Sequence, residues 1–342
     1  MFSRIGRTSG LLIALLCLSA PTAQAAEPVA VTVETFVRAE SDLYFNGVVK
    51  QVGVGRFHHI RTPMEIGHQT VIRGNRDTLY SSAVFDLDGG PVTITMPDAG
   101  RRFMSLQLIS QDHYTTTLYG AGDHVVDKER FGSRYVMVGI RTLVDPEKPE
   151  DVQAAHALQD GVKATQPKGP GRFDIPAWEP GSQKKIRDAL LVLAASITDT
   201  RRAFGSRQQV DPIQHLIGAA SAWGANPPAD AIYLNVVPNR NDGVAVYRLT
   251  AKDVPVDGFW SVSVYDEKGY YQPNALNAYT FNNLTAKPGP DGAITVQFGG
   301  CDGKVDNCLP TVPGWNYMVR LYRPRAEIMG GSWQFPAAMP LN

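Results

Sequence analysis

The segment Val71-Ile72-Arg73-Gly74-Asn75-Arg76-Asp77-Thr78-Leu79-Tyr80 gathers the side chains best suited to chemistry. The Arg76 guanidinium is a planar fork able to clamp a carboxylate or phosphate. Asp77 can act as a base or orient an imidazole, and Asn75 and Tyr80 add hydrogen-bonding groups. The same residues can instead pin a loop through an Arg–Asp pair, since ion-pair networks also occur without catalysis. Asp112-His113-Tyr114 is a second candidate. It follows the apolar run Phe103–Ile109 and so falls at a strand end, where loops gather. His113 there can be a general acid or base oriented by Asp112 or Asp77; the alternative is an ordinary polar loop histidine. Asp77, Asp112 and His113 are the catalytic candidates, with Asn75, Arg76 and Tyr80 as ligand contacts.

A third group lies downstream, where Trp260, Tyr265, Tyr270, Tyr271, Asn274, Asn277 and Tyr279 crowd one region. Aromatic rings with amides suit recognition of a polar organic molecule. Trp260, Tyr265, Asn274 and Asn277 are the expected contacts. The competing reading is core packing for Trp260 and turn chemistry for the asparagines. Strand alternation puts Trp260, Val262 and Val264 on one face and Phe259, Ser261, Ser263 and Tyr265 on the other.

Other chemistries lack a signature. There is no Gly-x-Ser-x-Gly elbow and no dinucleotide or phosphate-loop fingerprint, so no cofactor is expected. His58 and His59 are adjacent and would point to opposite faces of a strand. With no His-x-His or His-Glu-x-x-His spacing, no metal is expected. Lys plus Arg and Asp plus Glu each number 33, and no basic tract stands out, which argues against a nucleic-acid partner. The expected partner is a small molecule of unidentified class, and a homo-oligomer is compatible with the sequence.

Residues 1–25 have the form of a secretory leader: Arg4 and Arg7, an apolar stretch from Gly10 to Ser19, and Ala23-Gln24-Ala25 as a cleavage site. The apolar stretch is too short to span a bilayer, so no transmembrane segment should remain after cleavage near Ala25. The chain is expected to be periplasmic or secreted. Cys17 would leave with the leader, and the remaining close pair, Cys301 and Cys308, is expected to form a disulfide in an oxidising compartment.

The elements that must position these groups are mostly strands. Short apolar runs separated by Gly, Pro and Asp turns fill residues 70–141 and 231–342, which predicts a β-sandwich in each half. Between them, 146–230 reads as a helical linking segment. One helix is expected from about 149 to 163, one capped by Ser182, and one starting at Asp211-Pro212. A further helix is predicted over 32–50 from the spacing of Val33, Phe36, Val37, Leu43, Tyr44, Val48 and Val49. The expected partition is 1–25 leader, 26–145 N-terminal sandwich, 146–230 helices and 231–342 C-terminal sandwich.

Several longer words carry a family resemblance. Phe57-His58-His59-Ile60-Arg61, Val71 through Tyr80, Val84-Phe85-Asp86-Leu87, Met96-Pro97 and Asp112-His113-Tyr114 resemble domain-of-unknown-function family 1254. The run from Val254 to Tyr265, Asn307-Cys308-Leu309-Pro310 and Arg320-Leu321-Tyr322-Arg323-Pro324 resemble the companion family 1214. The resemblance implies an immunoglobulin-like sandwich, a small helical segment and a jelly-roll-like sandwich. It implies no chemistry. Many relatives carry Trp where this chain has Cys308, a departure that makes the local disulfide available here.

Two functional readings stand at this point. One is an exported enzyme of hydrolytic type, with a pocket between the sandwiches. The other is a non-catalytic periplasmic ligand-binding or envelope-interaction protein. The relation of His113 to Asp77 and Tyr80 separates them.

Overall fold

The computed structural model describes residue 1 and residues 27–69, 71–197 and 199–341. Apart from Met1, the expected leader and its cleavage site lie outside the described residues. The chain is mainly β, with 27% strand and 21% helix. Among the named strands, all pairings are antiparallel except the short one between Cys308–Leu309 and Ile294–Phe298.

The N-terminal half holds a five-stranded sheet in the order His58–His59, Thr78–Asp86, Tyr135–Leu143, Met104–Ser110, Thr115–Leu118. A three-stranded sheet, Gly122–Val126, Val92–Met96 and Lys163–Thr165, shares its core. Phe85, Leu106, Leu108, Val138 and Ile140 of the first sheet pack with Val92, Ile94 and Met96 of the second. The alternation of Val92-Thr93-Ile94-Thr95-Met96 is why one face of that strand is fully buried. Each such aliphatic side chain contributes about 1.5–3 kcal/mol by leaving water.

The C-terminal half has two four-stranded sheets. One runs Thr280–Asn282, Trp260–Tyr265, Asn316–Tyr322, Ala231–Val236; the other runs Cys308–Leu309, Ile294–Phe298, Tyr247–Ala251, Met339–Pro340. Trp260, Val262, Val264, Val319 and Leu321 share a core with Leu249, Val296 and Phe298. The opposite face of the first sheet carries Ser261, Ser263, Tyr265 and Arg320, and it is buried as well. That face is turned to the N-terminal half. A seam of Phe103 and Leu143 against Ala231, Phe259 and Tyr322 closes the junction. The Cys301–Cys308 disulfide is formed. No helix among the described residues is long and apolar enough to cross a membrane.

Helices occupy Phe36–Val52, Pro149–Gly161, Pro180–Ala194 and Pro212–Ser221, with short ones at Lys128–Phe131 and Ala326–Met329. Two expectations are corrected. The cap of Pro180–Ala194 is Glu179, whose carboxylate accepts from the Gly181 and Ser182 amides; Ser182 Oγ instead accepts from the Val31 amide. In Phe36–Val52 the apolar residues Leu43 and Tyr44 are exposed, while Glu40, Ser41 and Asp42 are buried. Apolar spacing misassigned this face because each buried acid has its own partners. Arg187 and Gln183 hold Glu40, and Gln111 and Trp178 hold Asp42.

Candidate functional site

The polar segment singled out from the sequence meets the C-terminal half at its backbone. Arg73 adopts a left-handed conformation (φ 51°), and its amide donates to Gly269 O at 2.7 Å. The Gly74 carbonyl then receives Tyr265 OH and Tyr271 OH, each at 2.8 Å, and Arg320 Nη2 at 3.1 Å. Arg320 Nη2 also donates to Arg73 O at 2.7 Å. A loop of the first half is thus held by side chains of the second, and its buried carbonyls are satisfied. Asn75 Oδ1 accepts the Asp77 amide, a local turn bond that leaves Asn75 Nδ2 free to approach Tyr80 OH (3.1 Å) and Tyr322 OH (3.3 Å).

A cavity of about 450 Å³ opens beside this loop, where both halves and the helical segment meet. Its size falls within the roughly 300–1,000 Å³ of small-molecule sites. Arg73, Asn75, Tyr80 and Arg141 line it from the first half, and Arg320 and Tyr322 from the second. Phe204, Trp223 and Gly224 supply the helical side.

Three guanidiniums dominate its electrostatics. Arg73 Nη1 donates to Asn316 Oδ1 at 2.6 Å, Arg141 Nη1 to Gln107 Oε1 at 2.7 Å, and Arg320 Nη1 to Ser263 Oγ at 2.8 Å. The Arg141 guanidinium also lies over the Tyr80 ring, 5.5 Å from its centre. All of these partners are neutral. Among the described residues, none of the three arginines forms an ion pair with a carboxylate, and no acidic side chain lines the cavity. The nearest acids lie outside the lining, where Asp77 accepts from Thr280 and Asn282 and Asp230 from Tyr119, and their charges reach Arg320 and Arg141 only through space. Burial, with Arg320 nearby, pulls the Arg73 guanidinium below its ordinary range. An anion in the cavity would relieve that cost.

The helical wall is braced from behind. The Trp223 ring stacks on Tyr44 at 4.2 Å, and its Nε1–H donates to Ser41 Oγ at 3.2 Å. The Gly224 amide donates to His113 Nε2 at 2.9 Å. His113 is fully buried, and its Nδ1 has no partner among the described residues. Because Nε2 accepts, the neutral ring carries its proton on Nδ1. Burial, with a smaller contribution from His215, lowers the His113 pKa to about 3.

The structure separates the three catalytic candidates. His113 supports the Trp223–Gly224 wall from its far side and shares no hydrogen bond with Asp77, Asp112 or Tyr80. Asp112 pairs with Arg38, half-exposed. Asp77 is buried under Thr280 and Asn282, with Oδ2 unpartnered. Of the expected ligand contacts, Asn75 and Tyr80 line the cavity. Arg76 and Asn277 instead border a separate space of about 70 Å³ next to Asp77, and Arg76 donates to Met64 O with its guanidinium over the Tyr279 ring. Trp260 belongs to the C-terminal core, on the face away from the cavity. Tyr265 stands behind Arg320, and Asn274 closes its own turn with Ala278. Among the described residues no group of three His, Cys, Asp or Glu is placed to hold a metal ion.

Arg73, Arg141, Arg320, Trp223 and Tyr322 were not among the expected site residues. For Arg320 a signal existed. It is the one charge inside the apolar strand Asn316–Tyr322, and a charge in such a strand needs a reason. Arg141 follows the apolar run Val136–Ile140 in the same manner.

Residues 54–129 match the family model described as Protein of unknown function (DUF1254), and residues 236–326 match Protein of unknown function (DUF1214). The chain carries both family regions. The seam between them holds the cavity: Asn75 and Tyr80 fall inside the first match and Arg320 and Tyr322 inside the second. A crystal structure of a Vibrio parahaemolyticus protein is similar, with TM-score 0.71 and 18% identity over 91% of this chain and 98% of that one. A crystal structure of an uncharacterized Burkholderia cenocepacia protein has TM-score 0.53 and 14% identity, covering 90% of this chain and 86% of that one. These likenesses concern the fold. No curated protein matches the chain.

Proposed function

We propose that this is an exported protein that binds a small anionic molecule in the cavity between its two halves. The observation that carries this reading is the set of Arg73, Arg141 and Arg320 lining one cavity, each hydrogen-bonded to neutral partners only. Guanidinium groups stay charged, so a cavity with three of them and no acid on its walls is complementary to a carboxylate or phosphate. Tyr80, Tyr322 and Asn75 supply neutral hydrogen-bonding groups beside them. Export rests on the leader-like residues 1–25, and the Cys301–Cys308 disulfide agrees with it.

The binding-protein reading is preferred to the hydrolytic one because Asp77, Asp112 and His113 hold three different partners. The test is a thermal-shift titration with acetate, phosphate and their neutral analogues at constant ionic strength. Wild type should be stabilised by the anions alone, and Arg141→Gln should weaken that effect at least tenfold in apparent affinity. An equal response of wild type and Arg141→Gln would sink the reading. Mass measurement of the mature chain tests export, with an N-terminus near Ala26 expected.

A further inference from the structure

We infer that the ligand is an amphipathic acid, which enters head-first and keeps an apolar chain or ring toward the mouth. This inference rests on the anion-binding reading above and adds the ligand's second end. The lining carries both charged and apolar side chains, and its most buried charge and its most exposed apolar groups lie apart. Arg320 and Tyr322, 2% and 3% exposed, mark the floor. Val71 and Ile72, 46% and 55% exposed, mark the lip of the same cavity. These two β-branched side chains are exposed immediately before the polar run Arg73–Asp77. The helical segment contributes Ile197, Phe204 and Trp223 to the lining, and between Ala194 and Gly218 it adds only small or uncharged side chains.

The apolar character continues outside the mouth. Leu191, one turn before Ala194 on the same face of its helix, is 44% exposed. A ligand that was charged throughout would gain nothing from this half of the cavity and would lose hydration there. A purely apolar ligand would leave the buried Arg320 and the half-buried Arg73 and Arg141 without an anion. Only a molecule with both ends satisfies both halves, and only head-first entry places each end against its match. The head is a carboxylate or a phosphate; the guanidinium fork accepts either.

The experiment is calorimetric titration of the full-length mature protein with acetate, butanoate, hexanoate and octanoate, with octyl phosphate and octan-1-ol as comparators. Affinity should rise about fourfold per methylene along the series for as long as the chain remains inside the cavity. Octan-1-ol should bind at least tenfold more weakly than octanoate. Comparison of octanoate with octyl phosphate then assigns the preferred head. Ile72→Ser, at the exposed lip, should cost octanoate several-fold more than acetate, and circular dichroism of that variant should match wild type. Equal affinity for acetate and octanoate would overturn the amphipathic assignment and leave the anion reading intact. Octan-1-ol binding as tightly as octanoate would instead overturn the anion reading.

Discussion

At the residue scale, His113 shows how a side chain with catalytic potential can serve as structure. Its ring accepts the Gly224 amide and stacks on Trp223, 5.3 Å between centres, so it shapes the cavity wall without entering it. Its pKa, lowered to about 3, has a consequence for stability. The unfolded histidine titrates near 6.5, so the folded state binds fewer protons between the two values. The stabilising contribution is therefore complete above about pH 6.5 and is lost as pH falls toward 3, by at most about 1.4 kcal/mol per pH unit. Urea denaturation at pH 7 and pH 5 should show this loss in wild type, and His113→Gln should show less of it. An identical pH dependence in the two proteins would rule out His113 as its source. Asn75 and Tyr80 were legible from sequence because they sit in one dense polar word. Arg141 and Arg320 showed only as charges at apolar strands; their meeting with Asn75 was not legible, since they lie 66 and 245 positions beyond it and only the fold brings them there.

At the element scale, the helix Pro149–Gly161 is fastened to the first sheet by Arg102. Its Nη1 donates to Asp151 at 2.8 Å and to Leu143 O at 2.6 Å, with both charged side chains largely buried. The Arg102 hydrogen bond holds the Asp151 carboxyl below the usual range. That contribution is present above the unfolded carboxyl pKa of about 4 and is lost as pH falls through the lower folded value. Asp151→Asn should cost about 1–3 kcal/mol at neutral pH, read from chemical denaturation. The disulfide acts on another element. Cys308 begins the strand that pairs in parallel with Ile294–Phe298, and reduction should lower stability by about 2–3 kcal/mol on the chain-entropy model. A melting curve unchanged by reductant would contradict that. Strand positions were readable from sequence because turns and alternation are local signals. The burial of Glu40 and Asp42 was not, because their partners Arg187 and Gln111 lie on distant segments.

At the scale of the whole molecule, the two halves are joined through close backbone approach as well as side chains. The Arg73 amide bonds the Gly269 carbonyl across the seam, and a Cβ at Gly258 would meet the Phe103 ring of the first half at 3.0 Å and the Tyr322 carbonyl of its own half at 2.7 Å, so this position is closed to a larger side chain. Gly258→Val should lower the melting temperature by several degrees, and calorimetry should show the transition broadening as the seam loosens. A sharp transition at the wild-type temperature would show that the seam tolerates the added volume. The mainly β character and the local disulfide were both accessible before the structure. The seam was not, because it is written in the non-core faces of two strands, where Ser261, Ser263 and Arg320 have the composition of a solvent-facing surface.

The docking of Gly74 beneath Arg320, Tyr265 and Tyr271 carries a mechanical implication. Arg73 comes from one half and Arg320 from the other, and these like charges oppose each other across the seam. An anion seated among them reverses that push and becomes a clasp. Occupancy and cohesion are then linked quantities, so a filled cavity should favour the closed seam by the same free energy by which the closed seam favours binding, and proteolysis at sites far from the ligand should slow.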